Sequence, residues 1–279
     1  MQQHWLVRHS LGDWLTTLVI LSIGLYLDRQ PPFEQYIGNR LTDPTISYPH
    51  TPKERQQVTA TQLIYISLLL PACVIAAYQL VLHRSRRRGD LNQALLGLLS
   101  SLAVALTLVC IVKNAVGRLR PDFLARCKPL NGVCSQTGPE VIEGRKSFPS
   151  GHSTLSMAGL AYLSIYLGAK LGHMQGGAVF GNFWKIVAAS TPWLFALWVG
   201  LSRLEDYWHH WEDIAVGLTL GNACAFAMYR LRYPSPFHGS EPHTATASSR
   251  QSTSGKAKDS PPGESEDAET EPLACQFPI

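Results

Sequence analysis

What this chain of 279 residues lacks narrows it first. Six hydrophobic stretches, Leu11–Leu27, Val58–Leu82, Ala94–Val112, Ser153–Ala169, Ile186–Leu201 and Ile214–Tyr229, contain no Lys or Arg, and only the first contains an acid, Asp13. A soluble helical protein with buried core helices is excluded by Ala94–Val112, which runs 19 residues without a charge and is long enough to cross a bilayer. The six cysteines form no dense framework: Cys73, Cys110 and Cys224 fall in the apolar runs as small apolar residues, and Cys275 is near the end. No further Cys or His stands at ligand spacing from Cys127 and Cys134, so a zinc site is not expected. There is no carboxylate cluster to hold magnesium. No basic face interleaved with aromatics points to nucleic acid. The first run has no small-x-small cleavage site, since Tyr26-Leu27-Asp28-Arg29 follows it, and is expected to be a retained span.

What is present is 46% hydrophobic residues gathered into those runs. The expected fold is all-α: an integral membrane bundle of six helices, with spans at about 11–28, 58–82, 92–113, 152–170, 185–202 and 211–230, all in one domain of residues 1–233. Pro71 stands mid-span and predicts a kink. Residues 28–57 carry five prolines and predict an irregular loop. Residues 234–279, rich in Ser, Thr, Pro, Gly and Glu, predict a disordered tail. The short turn His83-Arg84-Ser85-Arg86-Arg87-Arg88 belongs on the cytoplasmic side by its charge. By parity, 113–150 and 202–211 then lie outside or in a lumen, both termini are cytoplasmic, and Cys127 and Cys134 share an oxidising loop as a candidate disulfide.

The polar residues that chemistry would need flank these runs on that one side. Ser202-Arg203 and His209-His210-Trp211-Glu212-Asp213 lie between the fifth and sixth runs. If the following helix opens at Tyr207 or Trp208, His209 and Asp213 are i and i+4 on one face, where a carboxylate fixes the imidazole tautomer. Lys113 and Arg120-Pro121 close the third span, and Pro149-Ser150-Gly151-His152 opens the fourth. Lys113, Arg120 and Arg203, with Ser150 and the N–H groups around Gly151, make a cradle for a tetrahedral oxyanion. His152, His209 and Asp213 supply proton transfer and nucleophilic attack. Singly, each cluster has a plain reading as an interfacial anchor or an N-cap; their convergence is what those readings explain poorly. Arg118, Arg126, Arg145 and Lys146 are expected to be solvated or headgroup-facing charges, and the tryptophans core or lipid-facing.

Lys-x6-Arg-Pro at 113–121, Pro-Ser-Gly-His at 149–152 and Ser-Arg-x5-His-x3-Asp at 202–213 resemble, in order and spacing, the three signature motifs of the type 2 phosphatidic acid phosphatase (PAP2) superfamily. The tracts Gly-Arg-Leu-Arg-Pro-Asp-Phe and Glu-Gly-Arg-Lys-Ser-Phe-Pro-Ser-Gly-His are similar to lipid phosphate phosphatases of the phospholipid phosphatase 4/5 subgroup. The resemblance implies a six-helix, chloroperoxidase-like core, action without Mg2+ or other cofactor, and a phosphohistidine intermediate. It implies that His209 attacks phosphorus, Asp213 orients it, and His152 protonates the leaving alkoxide and then activates water. Lys113, Arg120, Ser150, Gly151 and Arg203 would hold the phosphate oxygens. The residues themselves leave open which histidine is the nucleophile. The expected substrates are phosphatidic acid, lysophosphatidic acid or diacylglycerol pyrophosphate, met on the lumenal or extracellular face of an endomembrane (ER or Golgi) or plasma membrane. Rival readings are polyprenyl or sphingoid phosphates on the same scaffold, vanadium haloperoxidase chemistry, and a non-enzymatic membrane protein. Besides the bilayer and its lipid no partner is implied, and self-association as a homo-oligomer is left open.

Overall fold

The computed structural model describes residues 2–82, 87–130, 133–171 and 183–234. Most of the arginine-rich turn used for orientation, the glycine-rich stretch before the fifth span, and the tail beyond Pro234 lie outside the described residues. The described chain is a helical membrane bundle. Its long helices are α1 (Gln2–Asp28), α2 (Ala60–Ile64) continued by a π turn (Tyr65–Leu69) into α3 (Leu70–Leu82), and α4 (Arg87–Val116). After two short helices, α5 (Phe123–Cys127) and α6 (Pro139–Glu143), come α7 (Gly151–Lys170), α8 (Phe183–Glu205) and α9 (Trp211–Arg232). Among the described residues, five segments are long and apolar enough to cross a membrane: Ser10–Asp28, Ala60–Val81, Gly89–Val116, Phe183–Glu205 and Trp211–Arg232. The protein is a multi-pass membrane protein.

The remaining expected span, the fourth in the chain, is α7, which differs from the rest for a physical reason. It carries Ser153, Thr154, Ser156 and Ser164, all buried, and so is less apolar in composition. It can do without lipid contact because 14 of its residues are buried, chiefly against α9, α8 and α4. Helices in a bilayer gain little from apolar packing alone and associate through close approach and polar contacts. Gly159 provides one such approach: a Cβ there would stand 1.9 Å from the Ser67 carbonyl oxygen. That carbonyl lies four residues before Pro71, which has no N–H to give it, and the helix takes its π turn at this place. Tyr162, Met157, Ala158 and Ala161 of α7 meet Ala94, Leu98 and Ala105 of α4 and Ala225 and Tyr229 of α9 in the largest apolar cluster.

Among the described residues, the segments 29–59 and 117–150 and the turn 206–210 pack together. A disulfide joins Cys127 and Cys134, with Cα atoms 5.0 Å apart, across the antiparallel pair β1 (Pro129–Leu130) and β2 (Val133–Cys134). Residues 28–57, expected to be an irregular loop, contain 3-10 turns at Gly38–Thr42, Pro44–Ile46 and Lys53–Arg55. They are tied back by long-range bonds. Phe33 N donates to Asn114 O (2.7 Å) and Tyr48 N to Pro121 O (3.0 Å), and Trp208 Nε1 donates to Thr51 O (2.9 Å).

Candidate active site

The residues after α4 turn back at Gly117, whose φ of +60° is left-handed. Only glycine fits, since a Cβ would fall 1.8 Å from the Phe33 carbonyl oxygen. The chain then pairs with the segment before α7: Arg120 N donates to Gly144 O (2.8 Å) and Ser147 N to Arg118 O (3.0 Å). This pairing brings Lys113 and Arg120 to the start of α7. Ser150 is the N-cap of α7, its Oγ accepting from Ser153 N at 3.3 Å. A Cβ on Gly151 would lie 3.4 Å from Lys113 Nζ, so the ammonium group rests directly on this helix start.

The third cluster is built by a tight turn. Tyr207 has a φ of +58°, and both Trp208 N (3.1 Å) and His209 N (3.3 Å) donate to Arg203 O. Helix α9 opens at Trp211, with His210 as its N-cap. The expectation that the helix opens at Tyr207 or Trp208 and carries His209 on the face of Asp213 is therefore corrected. The left-handed Tyr207 and the extended His210 keep His209 outside the helix. The pair still meets, because Asp213 returns to the cap: His210 N donates to Asp213 Oδ2 at 3.0 Å, and His209 Nδ1 lies 3.6 Å from the same oxygen. Ser150 N donates to Asp213 O (2.9 Å), joining the second and third clusters.

Charge is concentrated where water is not. Arg120, Arg203, His209 and Asp213 are all buried. Arg120 Nε donates to Glu143 O (2.8 Å), Nη2 to Glu143 Oε1 (2.5 Å), and Nη1 to Trp208 O (3.0 Å). Arg120 Nη1 also lies 3.3 Å from His209 Nε2. A guanidinium can only donate, so Nε2 carries the lone pair and the proton sits on Nδ1, facing Asp213. Burial, then the Arg120 charge, push the His209 imidazole down to about 3 despite Asp213, so the ring is neutral. Burial pushes the Glu143 carboxyl up, but Arg120 and Lys113 outweigh it and hold the group below the usual carboxylate range, ionised. Arg203 donates to Gln56 Oε1 (3.0 Å) and Asp206 Oδ2 (2.6 Å). His152 lies within electrostatic range of Arg203, His209, Lys113 and Arg120, and its Nε2 is buried without a hydrogen-bond partner.

All eight residues expected to act on phosphate are thus drawn into one cluster. Four charges expected to be solvated or headgroup-facing instead have partners within the protein, though Arg118 keeps 31% exposure. Arg118 Nη1 donates to Asp213 Oδ1 at 2.7 Å, and Arg126 grips the buried Asp122 through Nε and Nη2. Lys146 Nζ donates to Asp28 O (2.7 Å) and Arg145 Nη1 to Gln35 O (3.0 Å). Trp208 is no lipid anchor either: Arg120 and Arg126 each stand 4.5 Å from its ring centroid. Glu143, Ser147 and Gln56 went unmarked in the sequence. The first two sit within the quoted tract before His152; nothing local marked Gln56. Among the described residues no group of three or more His, Cys, Asp or Glu side chains is placed to hold a metal ion.

The family model for the PAP2 superfamily matches residues 94–236, which contain all three clusters. The chain belongs to the PAP2 superfamily. It is 35% identical to lipid phosphate phosphatase 1 of Arabidopsis thaliana over 81% of this chain and 69% of that protein. It is 39% identical to the probable diacylglycerol pyrophosphate phosphatase 1 of Schizosaccharomyces pombe over 70% of this chain and 71% of that one. With diacylglycerol pyrophosphate phosphatase 1 of Saccharomyces cerevisiae the identity is 33%, covering 81% of each. No solved structure matches the chain. Like these PAP2 relatives, the protein is a phosphatase.

Proposed function

We propose that this phosphatase removes phosphate from lipids, acting on phosphatidic acid, lysophosphatidic acid or diacylglycerol pyrophosphate, through a phosphohistidine on His209 and without a metal. The observation that carries the reading is the state of His209: buried and neutral, with Nε2 bearing the lone pair beside Arg120 and Nδ1 facing Asp213. In the reaction Nε2 forms a bond to phosphorus as the P–O bond to the lipid breaks. His152 gives its proton to the departing oxygen, the alkoxide of a phosphate monoester or the phosphate oxygen of the phosphatidic acid released from the pyrophosphate. Lys113, Arg120, Arg203, Ser150 and the N–H of Gly151 hold the non-bridging oxygens, and phosphate takes the Arg120 Nη1 donor now turned to His209. His152 then removes a proton from water, which attacks phosphorus and releases His209. The cations supply the charge stabilisation that Mg2+ gives elsewhere.

The site gathers where helices α4, α7, α8 and α9 end or begin, so a headgroup can reach it while acyl chains stay in the bilayer. We place that end on the lumenal or extracellular side of an endomembrane or the plasma membrane, with both termini cytoplasmic. The test is phosphate release from phosphatidic acid and diacylglycerol pyrophosphate in detergent micelles containing EDTA. Wild type should release phosphate from at least one, and His209→Ala should lose at least about 10³-fold in kcat. Release abolished by EDTA, or retained in His209→Ala, would overturn the mechanism. Release from neither lipid by folded protein would overturn the substrate class in favour of polyprenyl or sphingoid phosphates.

A further inference from the structure

Asp213 is held by more than the histidine it faces. Its carboxylate is fully buried, and three donors outside the reacting set fix it. Arg118 Nη1 donates to Oδ1 (2.7 Å), while Ser147 Oγ (2.5 Å) and His210 N (3.0 Å) donate to Oδ2. Arg118 and Ser147 arrive as a unit, because Ser147 N donates to Arg118 O across the paired segments ahead of α7. The other arm of Arg118 is turned to a second acid: Nη2 lies 3.5 Å from Glu212 Oε2. One guanidinium thus spans two successive acids in the first turn of α9. His209 Nδ1, by contrast, is 3.6 Å from Asp213 Oδ2 and has no hydrogen-bond partner.

We propose that Arg118, assisted by Ser147, is a positioning residue for phosphoryl transfer: it locks the Asp213 carboxylate so that Oδ2 meets Nδ1 of His209 as positive charge develops on the ring. This rests on the reading of His209 as nucleophile. When Nε2 bonds to phosphorus the imidazole becomes cationic, and the 3.6 Å separation must close to a hydrogen bond. A carboxylate free to rotate would spread that contact over many orientations. One anchored at both oxygens meets the ring along one line. Arg118 therefore acts on kcat and not on phosphate affinity, unlike Arg203.

The experiment compares Arg118→Gln, Arg118→Lys, Arg118→Ala and Ser147→Ala with wild type, measuring kcat, KM and inhibition by orthophosphate. Arg118→Gln should lose about 10²-fold in kcat, with the orthophosphate inhibition constant within about twofold of wild type. Arg118→Lys should recover only part of the loss, since an ammonium cannot span two acids. Added guanidinium ion should raise kcat of Arg118→Ala at constant protein concentration, which a purely structural loss would not allow. Ser147→Ala should show the same kcat-selective loss, more weakly, and carries the test if the Arg118 variants do not fold. Wild-type kcat in Arg118→Gln, or a weakened orthophosphate constant matching that of Arg203→Gln, would overturn the proposal while wild-type activity and its loss in His209→Ala stand. Failure of those two controls would instead remove the nucleophile reading itself.

Discussion

Two carboxylates, Asp90, 11% exposed, and Asp213, fully buried, stand at opposite ends of the same helices. Each lies in the first turn of its helix, where an acid is favoured by the helix dipole. Each collects charged and neutral donors from sequence-distant elements. Asp90 receives Lys170 Nζ (2.7 Å), Tyr233 OH (3.0 Å) and the Gln79 amide, tying α3, α4, α7 and the end of α9. Asp213 receives Arg118, Ser147 and His210 N. The difference is what remains. Around Asp90 the cation itself is bonded directly to the acid. At Asp213 the anchoring donors leave one more group, His209, at 3.6 Å and unbonded. A buried imidazole held just short of its carboxylate can improve its contact only by moving or by gaining charge, and in the proposed mechanism phosphoryl transfer supplies the charge. The same raw materials make a clamp at one end and the proposed reactive centre at the other.

That contrast can be broken from either side. The largest effect on stability is expected at the clamp. Asp90→Asn leaves Lys170 charged and only 9% exposed, at a cost of roughly 3 kcal/mol, read as a lower unfolding midpoint in detergent. Activity per folded molecule should be unchanged, and Asp90→Leu combined with Lys170→Met should recover much of the loss. Impaired kcat in folded Asp90→Asn would mean that the two ends are coupled. Next comes the packing between them. In Gly159→Ala the new Cβ meets the Ser67 carbonyl, and overpacking of this kind costs about 2 kcal/mol. An unchanged midpoint would show that the π turn relaxes freely. The smallest effect, taken over a single pH unit, is a pH slope. Folded protein keeps His209 neutral down to about 3, whereas an ordinary histidine takes its proton near 6.5. Between those values the unfolded chain binds the extra proton, so stability falls as pH falls, by at most about 1.4 kcal/mol per pH unit. The wild-type minus His209→Asn difference should carry this slope; its absence would mean that the folded ring is charged.

Much of this was legible because it is local. Uncharged runs marked the membrane helices, and contiguous motifs such as Ser150-Gly151-His152 marked the site. Two kinds of feature were not legible. A backbone exception, the left-handed Tyr207, moved the start of α9 and took His209 off the helix. Tyrosine gives no warning of that conformation as glycine would. Long-range partners were the other kind. Arg118 looked like one more interfacial cation because Asp213 is 95 residues away, and Gln56 looked like loop because Arg203 is 147 away. Residues 28–57, rich in proline, read as irregular for the same reason: what orders them is His50 on Asp122, 2.6 Å, and Thr51 on Trp208.

The measurement that tests the central claim most directly is rapid quench of the protein with phosphatidic acid carrying a labelled phosphate, followed by mapping of the label. Wild type should trap an acid-labile, base-stable phosphoramidate on His209. His152→Ala should form it more slowly and, once it is formed, hydrolyse it slowly, and His209→Ala should form none. Label on another residue, or turnover in His209→Ala, would contradict the account.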